Sequence, residues 1–375
     1  MASWQQKAEK RRSNDGRGHG DADAGGARAQ CRERAIVVEH GDPISCHPTT
    51  RRKHQKGLEV VVKSQNPSIS AVTPQRRDKI RVREYFELTK PRVVSLIVFT
   101  AVVGMLLSTP GLVPWDILIL ATAGIALAAG AAATINHFVE QRSDALMART
   151  RDRPLPTGRI NTRGAIVFAA VLAIASMLIL GVGVNVLTAG LTFVSLIGYS
   201  IIYTVSLKRH TPQNIVIGAA AGAAPPLLGW TAVTGEVASD ALLLFLIIFL
   251  WTPPHFWALA LYRHQEYADA GIPMLPVTHG SKFTRLYILL YTILLAAVTV
   301  LPFATRMAGF MYLFGALVLN AGFLYYAWKL YRHYSDALAR KTFFYSIQYL
   351  ALLFALLLID HYRVYIHEAL QSTLY

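Results

Sequence analysis

The sequence predicts an all-α fold: a polytopic membrane protein built as a bundle of nine transmembrane helices. Three observations carry this. Hydrophobic residues make up 53% of the 375 residues and charged residues 16%, where soluble domains carry about a quarter charged. The mean hydropathy is +0.37. From residue 93 onward, runs free of Asp, Glu, Lys and Arg recur, many near the ~20 residues that a helix needs to cross about 30 Å of hydrocarbon. This composition excludes a disordered chain and argues against a soluble one.

The charge-free runs are 93–109, 117–139, 164–207, 211–235, 241–262, 286–305, 307–328 and 342–359. The run 164–207 carries Gly181, Gly183 and Asn185 near its middle, so it reads as two helices and a turn, which makes nine spans. Lys and Arg in the connections set the orientation, because they favour the cytoplasmic side. Connections after the second, fourth, sixth and eighth spans carry 15 of them, those on the other side only Arg306. The N-terminus is therefore expected inside and the C-terminus outside.

Residues 1–80 hold 16 Lys/Arg and 9 Asp/Glu and read as a disordered basic tail before a membrane domain at 81–375. The apolar patches at 35–38 and 60–62 are too short for a signal-peptide core. Cys31 and Cys46 are the only cysteines, and their spacing fits neither a CxxC pair nor a metal site. The net charge of +15 is assigned to this tail and to helix ends, with no nucleic-acid partner.

Two connections are long, 140–163 and 263–285, and long connections in compact proteins are often functional. In the first, Asn136, Glu140 and Asp144 recur every four residues and share one helix face. A carboxamide and two carboxylates suit Mg²⁺, which takes oxygen ligands and completes its shell with substrate phosphates. The competing reading is a solvated helix end. In the second, Glu266 and Asp269 share a face. Each acidic cluster precedes a Pro-containing turn, 153–156 and 273–276. Two clusters of this kind at the wet cytoplasmic rim make a metal–diphosphate site. Lys90, Arg92, Arg149, Arg151, Arg153, Lys208 and Arg209 are the cations near them; they read either as phosphate contacts or as ordinary topological charges.

Segment 251–257, WTPPHFW, puts two prolines inside a span, where they are expected to kink it. His255 would then lie within the membrane, a costly place usually kept for function. It reads either as a porphyrin contact or as an interhelical hydrogen bonder. Pro225 and Pro226, among small residues, predict close helix approach or a broken helix.

The segments LTKPR (88–92), RDRPLP (151–156), KRHTPQNIVIG (208–218), WTPPHFW (251–257) and GIPMLP (271–276), with Asn136, Glu140, Asp144 and Glu266, resemble the protoheme IX farnesyltransferase (heme O synthase) family. That family lies within the intramembrane aromatic prenyltransferase superfamily, and the resemblance covers residues 81–360. It implies transfer of the farnesyl group of farnesyl diphosphate to a vinyl of heme B, with Mg²⁺ as cofactor and heme as substrate. It also implies a bacterial inner-membrane location and a downstream heme A synthase as partner. Asn136, Glu140, Asp144 and Glu266 match the family's catalytic, metal-holding positions. The chain departs from the pattern in having Glu for Asp at 140 and 266, Gln141 where Arg is usual, and His210 in place of Arg; Asp269 has no counterpart. The readings set against this are a sibling enzyme acting on a quinone precursor or chlorophyllide, and a non-catalytic heme or lipid transporter.

Overall fold

The computed structural model describes residues 82–146, 150–207 and 211–363, so the tail lies outside the described residues. Every element in the described residues is helical. They are α1 (Val82–Leu88), α2 (Pro91–Leu107), α3 (Trp115–Leu146), α4 (Thr162–Gly183) and α5 (Val186–Ile197), which continues as a wider π-type helix at Gly198–Leu207. Then follow α6 (Asn214–Thr234), α7 (Ser239–Tyr262), the short α8 (His264–Asp269), α9 (Leu275–Val298), the single turn α10 (Leu301–Ala304), α11 (Phe310–Arg332) and α12 (Asp336–His361). Among the described residues eight helices are long and apolar enough to cross a membrane, and α1 with α2, bent by 57°, is a ninth when the pair is counted as one span. The bend falls at Lys90, which adopts a left-handed φ of 52°. Pro91 then opens α2, a position where its missing N–H costs nothing.

The turn expected inside 164–207 is present. Asn185 ends the break between α4 and α5 by accepting a bond from the Thr188 N–H at 2.8 Å. Two other boundaries differ from the hydropathy reading. α3 continues past residue 139 to Leu146, and the second long connection is mostly helix, since α8 and the start of α9, which kinks at Gly280 (φ 79°), fill it. The reason is amphipathic burial: Tyr267, Ile272, Met274 and Leu275 pack into a cluster with Trp257 and Leu330. Counting charge-free residues misses such turns because their polar sides stay charged.

Neither proline pair breaks its helix; α6 and α7 run continuously through theirs. The backbone carbonyl of Ala221, which loses its donor to Pro225, accepts from Ser195 Oγ at 3.3 Å instead. Borrowed donors of this kind are how membrane helices carry proline.

Lipid is as apolar as leucine, so helices here associate through close packing and polar pairs rather than through water release. α2 and α6 touch backbone to backbone: a Cβ on Gly229 would sit 2.0 Å from the Ala101 carbonyl oxygen, and one on Gly104 would sit 2.1 Å from that of Pro226. On α3, Gly124 receives Ser176 Oγ of α4 at 2.7 Å. Tyr349 donates to Asn320 Oδ1 at 2.7 Å, and Asn320 Nδ2 donates to Thr299 Oγ1 at 2.9 Å, tying α12, α11 and the end of α9 together. Asp360 of α12 receives the Gly309 and Tyr312 N–H groups and so caps α11.

Gly229→Ala forces a methyl into the Ala101 backbone and should cost ~1–3 kcal/mol. Gly190→Ala, in open space, should be neutral or stabilising. Thermal unfolding of the detergent-solubilised protein checks both; an unchanged Tm for Gly229→Ala would contradict the contact.

Candidate active site

The end of α3 forms the first half of the site. Asn136, Glu140 and Asp144 stand on successive turns and are only 3%, 9% and 3% exposed. The expectation of a wet rim therefore fails for this cluster, because the chain beyond α3 folds back over it. Thr150 Oγ1 donates to the Asp144 backbone oxygen at 2.9 Å, and Gln141 Nε2 to that of Leu155 at 3.1 Å. Leu155 is buried with Leu88, Ile160 and Ala165.

Folding back brings cations to the acids. Arg153 Nη1 meets Asp144 Oδ2 at 2.7 Å. Lys90 Nζ, at the α1–α2 bend, donates to Asn136 Oδ1, and Asn136 Nδ2 donates to Glu140 Oε1 at 2.8 Å. A buried carboxylate without such a partner would be very costly. His137, beside them and 2% exposed, has neither ring nitrogen bonded among the described residues.

The second half is wetter. Glu266 on α8 accepts from Arg263 Nη1 at 2.6 Å, and its side chain is 34% exposed. Asp269 is exposed and bonded to Gln265, and on this short helix it lies about 60° round from Glu266; like Asn136, Glu140, Asp144 and Glu266, it is not in the wall of the chamber described below. Arg151 is exposed. Arg149, Lys208 and Arg209 lie outside the described residues.

Next to the acidic stripe lies a chamber of about 850 Å³ between α2, α3, α5, α6, α7 and α12. Its wall is mostly apolar. It includes Arg92, and it includes Ala132, one turn before Asn136 on α3. Tyr199 and Tyr203 line it from the π-type end of α5, and Tyr203 lies within electrostatic reach of both Glu140 and Tyr267. His255 lines the opposite side, stacked between Trp251 at 4.3 Å and Phe343 at 4.6 Å.

Tyr199, Tyr203, His137 and Ser346 were not among the residues singled out from the sequence. The tyrosines carried a usable signal, two polar-tipped aromatics four residues apart in an apolar run. Ser346 carried none, since its partner His255 is 91 residues away.

Hard oxygen donors and cations beside a mostly apolar chamber suit an amphiphile with an anionic head and a long apolar chain. The chain belongs to the UbiA prenyltransferase family, whose model matches residues 97–355. It is 66% identical over 282 residues to a protoheme IX farnesyltransferase of Nitrosospira multiformis, covering 75% of this chain and 95% of that one. In fold it is similar to a structure described as digeranylgeranylglyceryl phosphate synthase in membranes, with a TM-score of 0.65 at 18% identity, covering 75% of this chain and 99% of that one. A UbiA homolog from Archaeoglobus fulgidus, bound to DMAPP and Mg²⁺, shares the fold with a TM-score of 0.50 at 15% identity, over 73% and 99% of the two chains.

The Asp144–Arg153 pair should behave as a coupled unit. Asp144→Asn and Arg153→Met should each lower the Tm, and the double variant should lower it by less than the sum, with a coupling of ~1–3 kcal/mol. Strict additivity in thermal unfolding would dissolve the pair.

Proposed function

We propose that this chain transfers the farnesyl group of farnesyl diphosphate to a vinyl group of heme B, giving heme O and diphosphate. One observation carries the reading: the buried stripe Asn136–Glu140–Asp144 stands beside an apolar chamber whose far wall holds a histidine between aromatic rings. The likeness to a relative named protoheme IX farnesyltransferase, over nearly all of that relative's length, supports the choice of substrates. The charge bias of the connections supports a cytoplasmic N-terminus, and the family resemblance supports a bacterial inner-membrane location. A heme A synthase would be the downstream partner that receives the product.

Asn136, Glu140, Asp144 and Glu266 would hold Mg²⁺. The donor set fits, being all oxygen. Among the described residues no three His, Cys, Asp or Glu side chains group to hold a metal, so the ion would need water and phosphate oxygens to complete its shell. When bound, the ion neutralises charge that builds on the leaving diphosphate.

The chain's own residues do the rest. Lys90, Arg92, Arg149, Arg151, Arg153, Lys208 and Arg209 bind phosphate oxygens and take up the charge that departs with them. Breaking the farnesyl C1–O bond sends the electron pair to diphosphate and leaves an allylic cation. The apolar chamber keeps bulk water from it. The faces of Tyr199, Tyr203 and Trp251 offer it aromatic electron density. His255 orients the porphyrin so that the vinyl terminal carbon meets C1 and a new C–C bond forms. A water then adds to the inner vinyl carbon and loses a proton, leaving the hydroxyethyl group.

Membranes carrying the protein, given heme B, farnesyl diphosphate and Mg²⁺, should yield a porphyrin heavier by one farnesyl and one hydroxyl group, read by mass. Chelating Mg²⁺ should stop the reaction. Asp144→Ala and Glu266→Ala should abolish turnover, with Glu266→Ala leaving protein levels near normal because that side chain is already part-exposed. Near-normal turnover at saturating Mg²⁺ would remove the residue from the site. Prenylation of a quinone precursor or chlorophyllide instead of heme would overturn the acceptor.

A further inference from the structure

His255 is held by more than its stacked neighbours. Its Nδ1 lies 2.7 Å from Ser346 Oγ on α12. The same hydroxyl donates to the Phe343 backbone oxygen at 2.7 Å. A serine hydroxyl has one proton. When it is given to the Phe343 oxygen, the hydroxyl oxygen accepts and Nδ1 supplies the proton between them. In a neutral imidazole the other nitrogen, Nε2, then carries the lone pair.

Nε2 has no protein partner among the described residues, and it is not among the sealed, unbonded polar atoms. The ring is part of the chamber wall. Ser346 also fixes the neighbour in the stack, since Trp251 Nε1 donates to the Ser346 backbone oxygen at 2.8 Å. One residue of α12 thus bonds both rings of the stack. Metal-bound histidines are commonly arranged this way, with the far nitrogen bonded to an outer partner that fixes orientation and raises basicity.

We propose that His255 Nε2 is an axial ligand for the iron of the porphyrin substrate, and that Ser346 is the positioning residue that keeps its lone pair aimed into the chamber. This rests on the reading of heme as acceptor. Ligation gives the acceptor a fixed point at its metal, so that only rotation about the iron–nitrogen axis remains to be set before a vinyl faces the farnesyl carbon. It also separates an iron porphyrin from flat apolar molecules of similar size, which ring packing alone would not do.

The test compares heme B with metal-free protoporphyrin IX, which has the same ring and no axial position, using the full-length protein in detergent. Wild type should give the visible spectrum of a nitrogen-ligated heme. His255→Ala should lose that spectrum and bind heme at least about 10-fold more weakly, with its affinity for metal-free protoporphyrin unchanged. His255→Phe keeps the stack without the nitrogen and should behave likewise, which guards against a folding defect in the alanine variant. Ser346→Ala should weaken heme binding about 10-fold and raise the KM for heme, leaving the KM for farnesyl diphosphate alone; Ser346→Thr should restore wild-type values.

Equal weakening toward both porphyrins would overturn ligation in favour of ring packing, and a Ser346→Ala protein identical to wild type would overturn the positioning role. Product mass on the same protein separates this from the reading beneath it. Farnesylated heme from a protein whose heme spectrum ignores His255 overturns the ligation and leaves the transfer reading standing. A His255-dependent spectrum with no farnesylated product supports the ligation and overturns the acceptor.

Discussion

A carboxylate taken out of water needs a cation or a ring of donors against it, and much of the first half of this molecule follows from that need. Asp144 is buried, so the chain must return from the end of α3 to bring Arg153 within 2.7 Å. The return is held by Leu155 in its apolar cluster and by Gln141 on the Leu155 carbonyl. Lys90 meets Asn136 from a left-handed backbone position, a conformation costing a non-glycine residue of order 1 kcal/mol or more. That strain sits where α1 turns into α2. These contacts also match the proposed chemistry: Arg153, which pairs with Asp144, and Lys90, which bonds Asn136, are among the cations proposed to engage the diphosphate.

The second half of the molecule solves a different problem. Helices in lipid gain little by hiding apolar surface, so contact must come from small residues and shared hydrogen bonds. α2 and α6 meet at Gly104 and Gly229, and the outer helices α11 and α12 are tied through Asn320 and Tyr349. Tight packing on these faces leaves the space among α2, α3, α5, α6, α7 and α12 as a chamber rather than as a loose interior. The π-type turns that end α5 bring Tyr199 and Tyr203 to its wall, and such widened turns are frequent at functional sites.

The sequence was legible where the signal is local. Nine spans, the break at Asn185 and the acidic stripe on α3 all followed from run length or from the four-residue period, and the structure contains each. It was misleading where burial depends on what folds back later. Asp144 looked like a rim residue because it follows the apolar run, yet residues 150–155 bury it. The connection 263–285 looked like a loop because it is charged, yet one face of it is core. Of the two readings of Pro225 and Pro226, the broken helix is not realised, because the Ser195 hydroxyl, one helix away, serves the carbonyl freed by Pro225, whereas the close approach is the α2–α6 contact. Ser346 was invisible for a related reason: a pairing across 91 residues has no periodicity to betray it.

The backbone contact between α2 and α6 fixes the spacing of two helices that border the chamber. Where carbonyl oxygens lie 2.0 and 2.1 Å from where a Cβ would stand, the seam admits nothing larger than hydrogen. Gly104 and Gly229 are not themselves in the chamber wall; they set the distance between two of the helices that carry it. Room to reshape the cavity therefore lies with the side chains that line it, among them Thr192, Tyr199, Trp251, Phe343 and Ile347, while the seam acts as a datum outside the space it helps to measure.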